Sequence, residues 1–217
     1  MSNKADHFKI KFLYLPGNKI SSLSSNMKNI ILIDLTNNSL CKSLPSEVAS
    51  ALSSYSNLKT LYLSKNKLEN FNNFENSSVE TIFITQNHFN ELPHLSKYPL
   101  LKSLYLDSNF ISALRDQSSE KIVTLILALN CIRTIDASTL NLPQLMTLDL
   151  SKNNINVLPN NFSKSFPKLQ NLNLSDNFIK EIPDDDSMFP ETLTELNLKN
   201  NLIEKVPKSI TSLPKLK

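Results

Sequence analysis

The sequence predicts an α/β repeat fold, a solenoid that stacks copies of one small unit and lines its curved inner face with a parallel β-sheet. Two observations predict it. An eleven-residue phrase of the form LxxLxLxxNxL occurs nine times along the 217-residue chain, and its asparagine is present in every copy. The asparagines are Asn18, Asn38, Asn66, Asn87, Asn109, Asn130, Asn153, Asn177 and Asn201, spaced by roughly 20 to 28 residues. A period in this range marks a stacked-repeat architecture, and it changes the meaning of every other motif in the chain.

Each phrase predicts one short strand. In LKTLYLSKNKL, residues 58–68, Leu61 and Leu63 alternate with Thr60, Tyr62 and Ser64, so the leucines point to one face and the others to the opposite face. The remaining copies begin at Ile10, Ile30, Val79, Leu101, Ile122, Leu145, Leu169 and Leu193. Abundance of Leu and Asn alone does not hold apolar residues at fixed positions around an unbroken asparagine column. One such unit cannot bury enough apolar surface to offset the entropy of ordering it, so neighbours must stack, pairing their strands about 4.8 Å apart.

The segments between phrases form the convex face. Leu92-Pro93, Leu158-Pro159, Ile182-Pro183 and Val206-Pro207 recur at one offset after the asparagine; proline cannot continue a strand or a helix interior, so these are corners. The longest interval contains SEVASALSSY from Ser46, in which Val48, Leu52 and Tyr55 keep helical spacing. A short helix is predicted there, with Ser46 as its candidate cap. Residues 1–9 form a lead-in, and 10–217 a single domain of nine repeats with the start of a tenth, because LPKLK at 213–217 matches FPKLQ at 166–170. Neither end reads as a polar capping repeat, so the sequence is expected to continue in the intact protein.

From about Ile10 onward the sequence resembles the leucine-rich repeat family, with typical repeat lengths. The resemblance implies a horseshoe solenoid with the parallel sheet on the concave face and loops, 3-10 turns and short helices on the convex face. It also implies that the asparagine side chain lies inside the turn after each strand, bonded to buried backbone groups. Asparagine suits that task, since it carries two donors and an acceptor. Asn76, outside the column, is expected to lack such a role.

Composition excludes most chemistry. The single glycine, Gly17, rules out glycine-rich phosphate loops and the nucleophile elbow. His7, His88 and His94 are too dispersed for a metal site. The run Asp184-Asp185-Asp186 reads as a solvated loop. Cys41 and Cys131 belong to repeats two and six, too far apart to bridge, and Cys131 reads as a packing residue rather than a nucleophile. No cofactor, metal or catalytic residue is expected. The formal charge of +3, with no dense Lys/Arg run, argues against nucleic acid. No apolar run is long enough to cross a membrane, and the first residues do not form a signal peptide. A cytoplasmic monomer is expected, or an extracellular protein if the chain is a fragment; the sequons at Asn37, Asn76, Asn161 and Asn173 carry no weight in so Asn- and Ser-rich a sequence.

Function must then reside on a surface. Phrase positions 3, 5, 7 and 8 face outward from the concave sheet. Position 5 reads Tyr14, Asp34, Tyr62, Phe83, Tyr105, Ile126, Asp149, Asn173 and Asn197; position 3 begins with Phe12 and Leu32, and repeat six adds Val123, Ala128 and Leu129. The candidate protein-binding residues are Phe12, Tyr14, Leu32, Asp34, Tyr62, Phe83, Tyr105, Ile126 and Leu129, because contiguous exposed apolar and aromatic surface marks interaction sites. The alternative is that the rings merely cover the sheet; on the binding reading, Tyr62→Ala and Tyr105→Ala remove exposed side chains and are expected hardly to alter the fold. The sequence thus reads as a non-enzymatic scaffold or adaptor for a protein partner, or else as the ligand-sensing part of a receptor-like or repeat-linked kinase.

Overall fold

The computed structural model describes residues 9–160 and 162–217; the lead-in up to residue 8, with His7, and Asn161 lie outside the described residues. Nine three-residue strands form one parallel sheet in strict chain order: Phe12–Tyr14, Leu32–Asp34, Thr60–Tyr62, Thr81–Phe83, Ser103–Tyr105, Thr124–Ile126, Thr147–Asp149, Asn171–Asn173 and Glu195–Asn197. Their register aligns the central apolar residues, Leu13 with Ile33, Ile33 with Leu61, and so on to Leu172 with Leu196. The alternation behaves as expected: Leu61 and Leu63 are fully buried while Thr60, Tyr62 and Ser64 are half-exposed.

The convex side carries the irregular elements. A nine-residue helix spans Ser46–Ser54, four-residue helices span Phe162–Ser165 and Lys208–Thr211, and 3-10 turns span Leu95–Lys97 and Ala137–Thr139. The helix over Ser46–Ser54 sits where predicted, burying Val48, Ala49, Ala51 and Leu52. Its start differs. Pro45 occupies the cap position, and the Ser46 hydroxyl bonds to Glu47 Oε2 (2.9 Å) instead of capping the helix. Proline at that point fixes φ at −52° on entry to the helix, and no side chain caps the first turn.

Behind the sheet the core includes an aromatic cluster, with Phe71 edge-on to Phe74, Phe89 and Tyr98 at ring separations of 5.9, 5.2 and 5.7 Å. Two buried tyrosines tie neighbouring repeats together: the Tyr55 hydroxyl donates to the Ser24 carbonyl (2.6 Å) and the Tyr98 hydroxyl to the Phe74 carbonyl (2.9 Å). Burial pushes the Tyr55 hydroxyl up to about 12, and burial, reinforced by Glu75, raises Tyr98 as well.

The asparagines occupy the turns after the strands, and seven of them, from Asn38 to Asn177, are buried. Asn109 shows the pattern. Its Nδ2 donates to the Leu106 carbonyl of its own repeat (3.0 Å) and to the Ile84 carbonyl of the preceding repeat (3.0 Å), while its Oδ1 accepts the Phe89 N–H (3.0 Å). The same backward acceptor bond recurs at every later and earlier step, from Ile20 N–H to Asn38 through Ile179 N–H to Asn201, at 2.9 to 3.0 Å. Asn18, in the first described repeat, bonds to the Leu15 and Pro16 carbonyls of its own exposed turn.

This geometry depends on the residue before each asparagine. Gly17, Asn37, Lys65, Gln86, Ser108, Leu129, Lys152, Asp176 and Asn200 all have φ between 53° and 70°. The left-handed conformation turns the chain so that the next side chain points inward, at a cost of roughly 1 to 2 kcal/mol for each residue other than glycine. Asn76 is a correction to expectation: it is buried, donates to the Leu52 carbonyl (2.8 Å), and accepts from the Ser78 and Val79 N–H groups (2.9 and 3.0 Å). It anchors the loop behind Tyr55 and cannot serve as a neutral comparison.

Two outcomes follow for stability. Asn109→Leu leaves the buried Phe89 N–H without its side-chain partner and takes one of two amide donors from each of the Ile84 and Leu106 carbonyls, so denaturant unfolding should show a loss of about 1 to 3 kcal/mol. Asn18→Leu, losing only exposed local bonds, should cost less than about 1 kcal/mol; equal effects would contradict the inter-repeat role. For the tyrosines, a folded-state value above the unfolded value near 10 means the unfolded chain releases its proton first. Their contribution is fully present below pH about 10 and is lost as pH rises toward about 12 for Tyr55. Unfolding free energies measured from pH 8 to 11.5 should fall more steeply for wild type than for the Tyr55→Phe/Tyr98→Phe double variant.

Candidate functional site

The concave floor is built from positions 3, 5 and 7 of the nine phrases, and its character changes along the solenoid. In repeats three to five the position-5 rings stack: Tyr62 on Phe83 at 4.5 Å and 2°, and Phe83 on Tyr105 at 4.4 Å and 11°. Parallel strands in exact register bring three aromatic residues one strand step apart, and that spacing is close to the stacking distance of rings. All three are half-buried, as are Leu32, Asp34 and Ile126, whereas Phe12 (56% exposed) and Tyr14 (62%) stand free. The stack therefore contributes to folding as well as to the surface, which corrects the expectation that its tyrosines are structurally dispensable.

The polar members of the same column behave differently. Asp34, Asp149, Asn173 and Asn197 each turn a side-chain oxygen onto the N–H two residues ahead: Thr36 and Ser151 at 2.8 Å, Ser175 and Lys199 at 3.1 Å. Asn173 also donates to Asp149 Oδ2 (3.3 Å). Repeats seven to nine thus present a floor that satisfies itself. The hollow beside it, lined by Ile126, Asp149, Asn173, Glu195 and neighbours, measures about 130 Å³. That is smaller than ligand pockets of about 300 to 1,000 Å³, so the concave face offers a surface rather than a chamber.

The electrostatics of the floor oppose those of the chain. Among positions 3, 5 and 7 stand four carboxylates, Asp34, Asp107, Asp149 and Glu195, against one ammonium, Lys199, although the whole chain carries +3. Burial pushes the Asp107 carboxyl up from its ordinary value, and the nearby Asp149 pushes it further. On the rim where the strands begin, Glu80 pairs with Lys102 (2.6 Å) and Lys59 (2.8 Å), and these two ammonium groups, Lys102 foremost, hold its carboxyl low.

Leu129 lies at the turn, not on the sheet; it is 50% exposed in the left-handed conformation, where a leucine is rarely placed. Beside it, phrase position 10 supplies a row that the outward positions 3, 5, 7 and 8 omit: Phe110 and Phe178 are exposed, and His88 meets Phe110 edge-on at 5.6 Å. The aromatic residues at that offset were a readable signal. Cys131 occupies the same row and is exposed and free, so it does not pack; Cys41 is likewise exposed and free. Among the described residues no group of His, Cys, Asp and Glu is arranged to hold a metal ion, and no helix is long and apolar enough to cross a membrane. Asp185 accepts the Ser187 N–H and hydroxyl within its own loop (2.8 and 2.7 Å).

A leucine-rich repeat family profile matches residues 99–155, 120–177, 143–203 and 167–217. The chain belongs to the leucine-rich repeat family. No curated protein sequence matches it. Among solved structures it is similar to TLR13 in a TLR13–ssRNA13 complex, at 27% identity and TM-score 0.77 over 86% of this chain and 27% of that one. The APL1 leucine-rich repeat domain gives 22% identity and TM-score 0.77 over 97% of this chain and 55% of that one. YopM from Yersinia enterocolitica WA-314 gives 23% and 0.69 over 93% and 41%. The chain spans well under two thirds of each of these proteins.

Phe83 holds the centre of the ring stack and touches both neighbours. Phe83→Ala should therefore destabilise the repeat protein by about 1 to 3 kcal/mol beyond simple area loss, and by more than Tyr62→Ala or Tyr105→Ala, each of which breaks one contact. Thermal melting of the three variants checks this order; a reversed order would show that the rings stand independently.

Proposed function

We propose that this leucine-rich repeat protein is a non-enzymatic scaffold or adaptor that holds a protein partner along its concave face, chiefly in repeats one to six. The observation that carries the reading is the contrast along position 5. Repeats seven to nine close their floor with their own hydrogen bonds, while Tyr14, Tyr62, Phe83, Tyr105 and Ile126 present aromatic and apolar area whose polar groups are the tyrosine hydroxyls alone. Such area is what an interface buries, and Tyr is favoured at its energetic centre. The turn residue Leu129 extends this apolar area, accepting both exposure and an unfavourable backbone conformation.

A nucleic-acid ligand of the kind bound by TLR13 fits this floor poorly, because four carboxylates face one ammonium where phosphates would have to lie. The two exposed free thiols support a reducing, cytoplasmic setting. A second reading, the ligand-sensing portion of a larger receptor-like protein or kinase, draws support from the share of TLR13 that the chain spans, 27%. The full-length transcript distinguishes the two, since a membrane span or kinase sequence joined to these repeats favours the second.

With a partner isolated on the wild-type chain, Tyr62→Ala and Tyr105→Ala should each weaken binding by about 1 to 3 kcal/mol. Asn173→Ala and Asn197→Ala should each weaken it by less than about 1 kcal/mol. Calorimetric titration at a temperature where all four variants remain folded makes the comparison. Tyrosine variants that keep the partner while asparagine variants lose it would move the site to repeats seven to nine and overturn the assignment.

A further inference from the structure

Across repeats one to three, position 5 reads Tyr14, Asp34, Tyr62, and the three residues are in direct register on adjacent strands. Tyr62 presses one ring face against Phe83 at 2° from parallel, so its other face is turned toward the strand of repeat two. There it meets no ring but the short side chain of Asp34, with the exposed Tyr14 on the far side. Two strand steps of about 4.8 Å separate Tyr14 from Tyr62, roughly 9 to 10 Å between the backbones that carry the two rings. A planar group in contact on both faces needs about 3.5 to 4.0 Å on each side. One planar layer fits this slot, and two do not.

The floor of the slot specifies the charge of that layer. Asp34 Oδ1 accepts the Thr36 N–H, and among the described residues the carboxylate forms no ion pair. A carboxylate beside the negative face of an aromatic ring is an unfavourable neighbour unless a cation lies between them. Repeats three to five place rings beside rings, and repeats seven to nine place acids beside amides; only here does an acid stand between two rings. Arginine answers all three requirements, being planar, permanently charged, weakly hydrated, and able to stack while donating in its own plane to a carboxylate.

We infer that the Tyr14–Asp34–Tyr62 slot receives an arginine guanidinium of the protein partner, stacked between the two tyrosines and hydrogen-bonded to Asp34. The inference rests on the concave face being the protein-binding surface and adds to it the chemistry of the partner: a basic segment with an arginine as anchor. The acidic floor further along, from Asp107 to Glu195, has the sign to accept the rest of such a segment.

The test uses the intact chain and capped pentapeptides of sequence Gly-Ser-Arg-Ser-Gly, with lysine or the neutral isostere citrulline replacing arginine. Ring signals of Tyr14 and Tyr62 are followed by NMR, with Tyr55 and Tyr98 as buried internal controls. Arginine should shift the two slot tyrosines at least about fivefold more tightly than lysine, and citrulline should give no saturable shift. Asp34→Asn should remove the preference for arginine over citrulline while leaving the fold intact, because Asn173 and Asn197 already perform the same N–H cap at this position. Citrulline matching arginine, an unchanged response in Asp34→Asn, or equal shifts produced by a single-stranded RNA oligonucleotide would each overturn the inference. A protein partner that depends on Tyr105 but is indifferent to Asp34→Asn overturns the slot and leaves the concave-face reading standing. A partner indifferent to Tyr62→Ala and Tyr105→Ala overturns that reading, whatever the pentapeptides do.

Discussion

The asparagine in each turn is the constraint on which the rest of the molecule depends. A three-residue strand supplies few backbone hydrogen bonds to its neighbour, and the chain must leave the sheet at once without stranding the groups just beyond it. One amide side chain meets both needs. Its NH₂ collects the carbonyls just beyond the strands of two successive repeats, and its oxygen takes an N–H of the repeat behind, as Asn153 does for Leu150, Leu127 and Ile132. Each asparagine from Asn38 to Asn201 is therefore a bond between repeats, and the solenoid is a chain of such bonds in which units are completed by their neighbours. The left-handed residue before it is part of the same device, since without that turn the amide would point to solvent.

Where the convex loops are too irregular to repeat one device, other side chains take over its task. Tyr55 and Tyr98 reach back to carbonyls of the preceding repeat, Ser165 Oγ donates to the Ala137 carbonyl (2.6 Å), and Asn76 with Ser78 closes the loop behind the helix over Ser46–Ser54. These bonds lie behind the sheet. The outward positions of the concave strands carry none of these bonds, and position 5 changes from rings to amides without disturbing the register. Variation there is free to serve recognition.

What the sequence makes legible follows from this division. The strands, the core alternation and the asparagine column recur with the period of the fold and are visible by repetition alone; the helix in the longest interval shows through the spacing of Val48, Leu52 and Tyr55. Features that occur once have no such amplification. Nothing in the phrase distinguishes Asn76 from a surface asparagine, and nothing in the sequence around Ser46 marks Pro45 as the residue at the cap. The left-handed position hides because its side chains range from Gly17 to Lys65 and Leu129; it is specified by the asparagine that follows. On the concave face the column of residues was readable, but the choice between cover and contact surface was not, because it depends on ring orientation.

That orientation makes the two alternatives complementary. Stacking hides both faces of Phe83 and the inner faces of Tyr62 and Tyr105, so the middle of the column does cover the sheet. A stack must nevertheless have two ends, and the quadrupole of a ring concentrates negative potential on the faces left there. At the end next to repeat six, Ile126 provides an apolar neighbour indifferent to that potential. At the other end Asp34 adds a full negative charge to it. Burying hydrophobic area accounts for the first end and for the middle; at the second, Asp34 caps the Thr36 N–H and leaves its charge beside the ring, which the proposed guanidinium would offset.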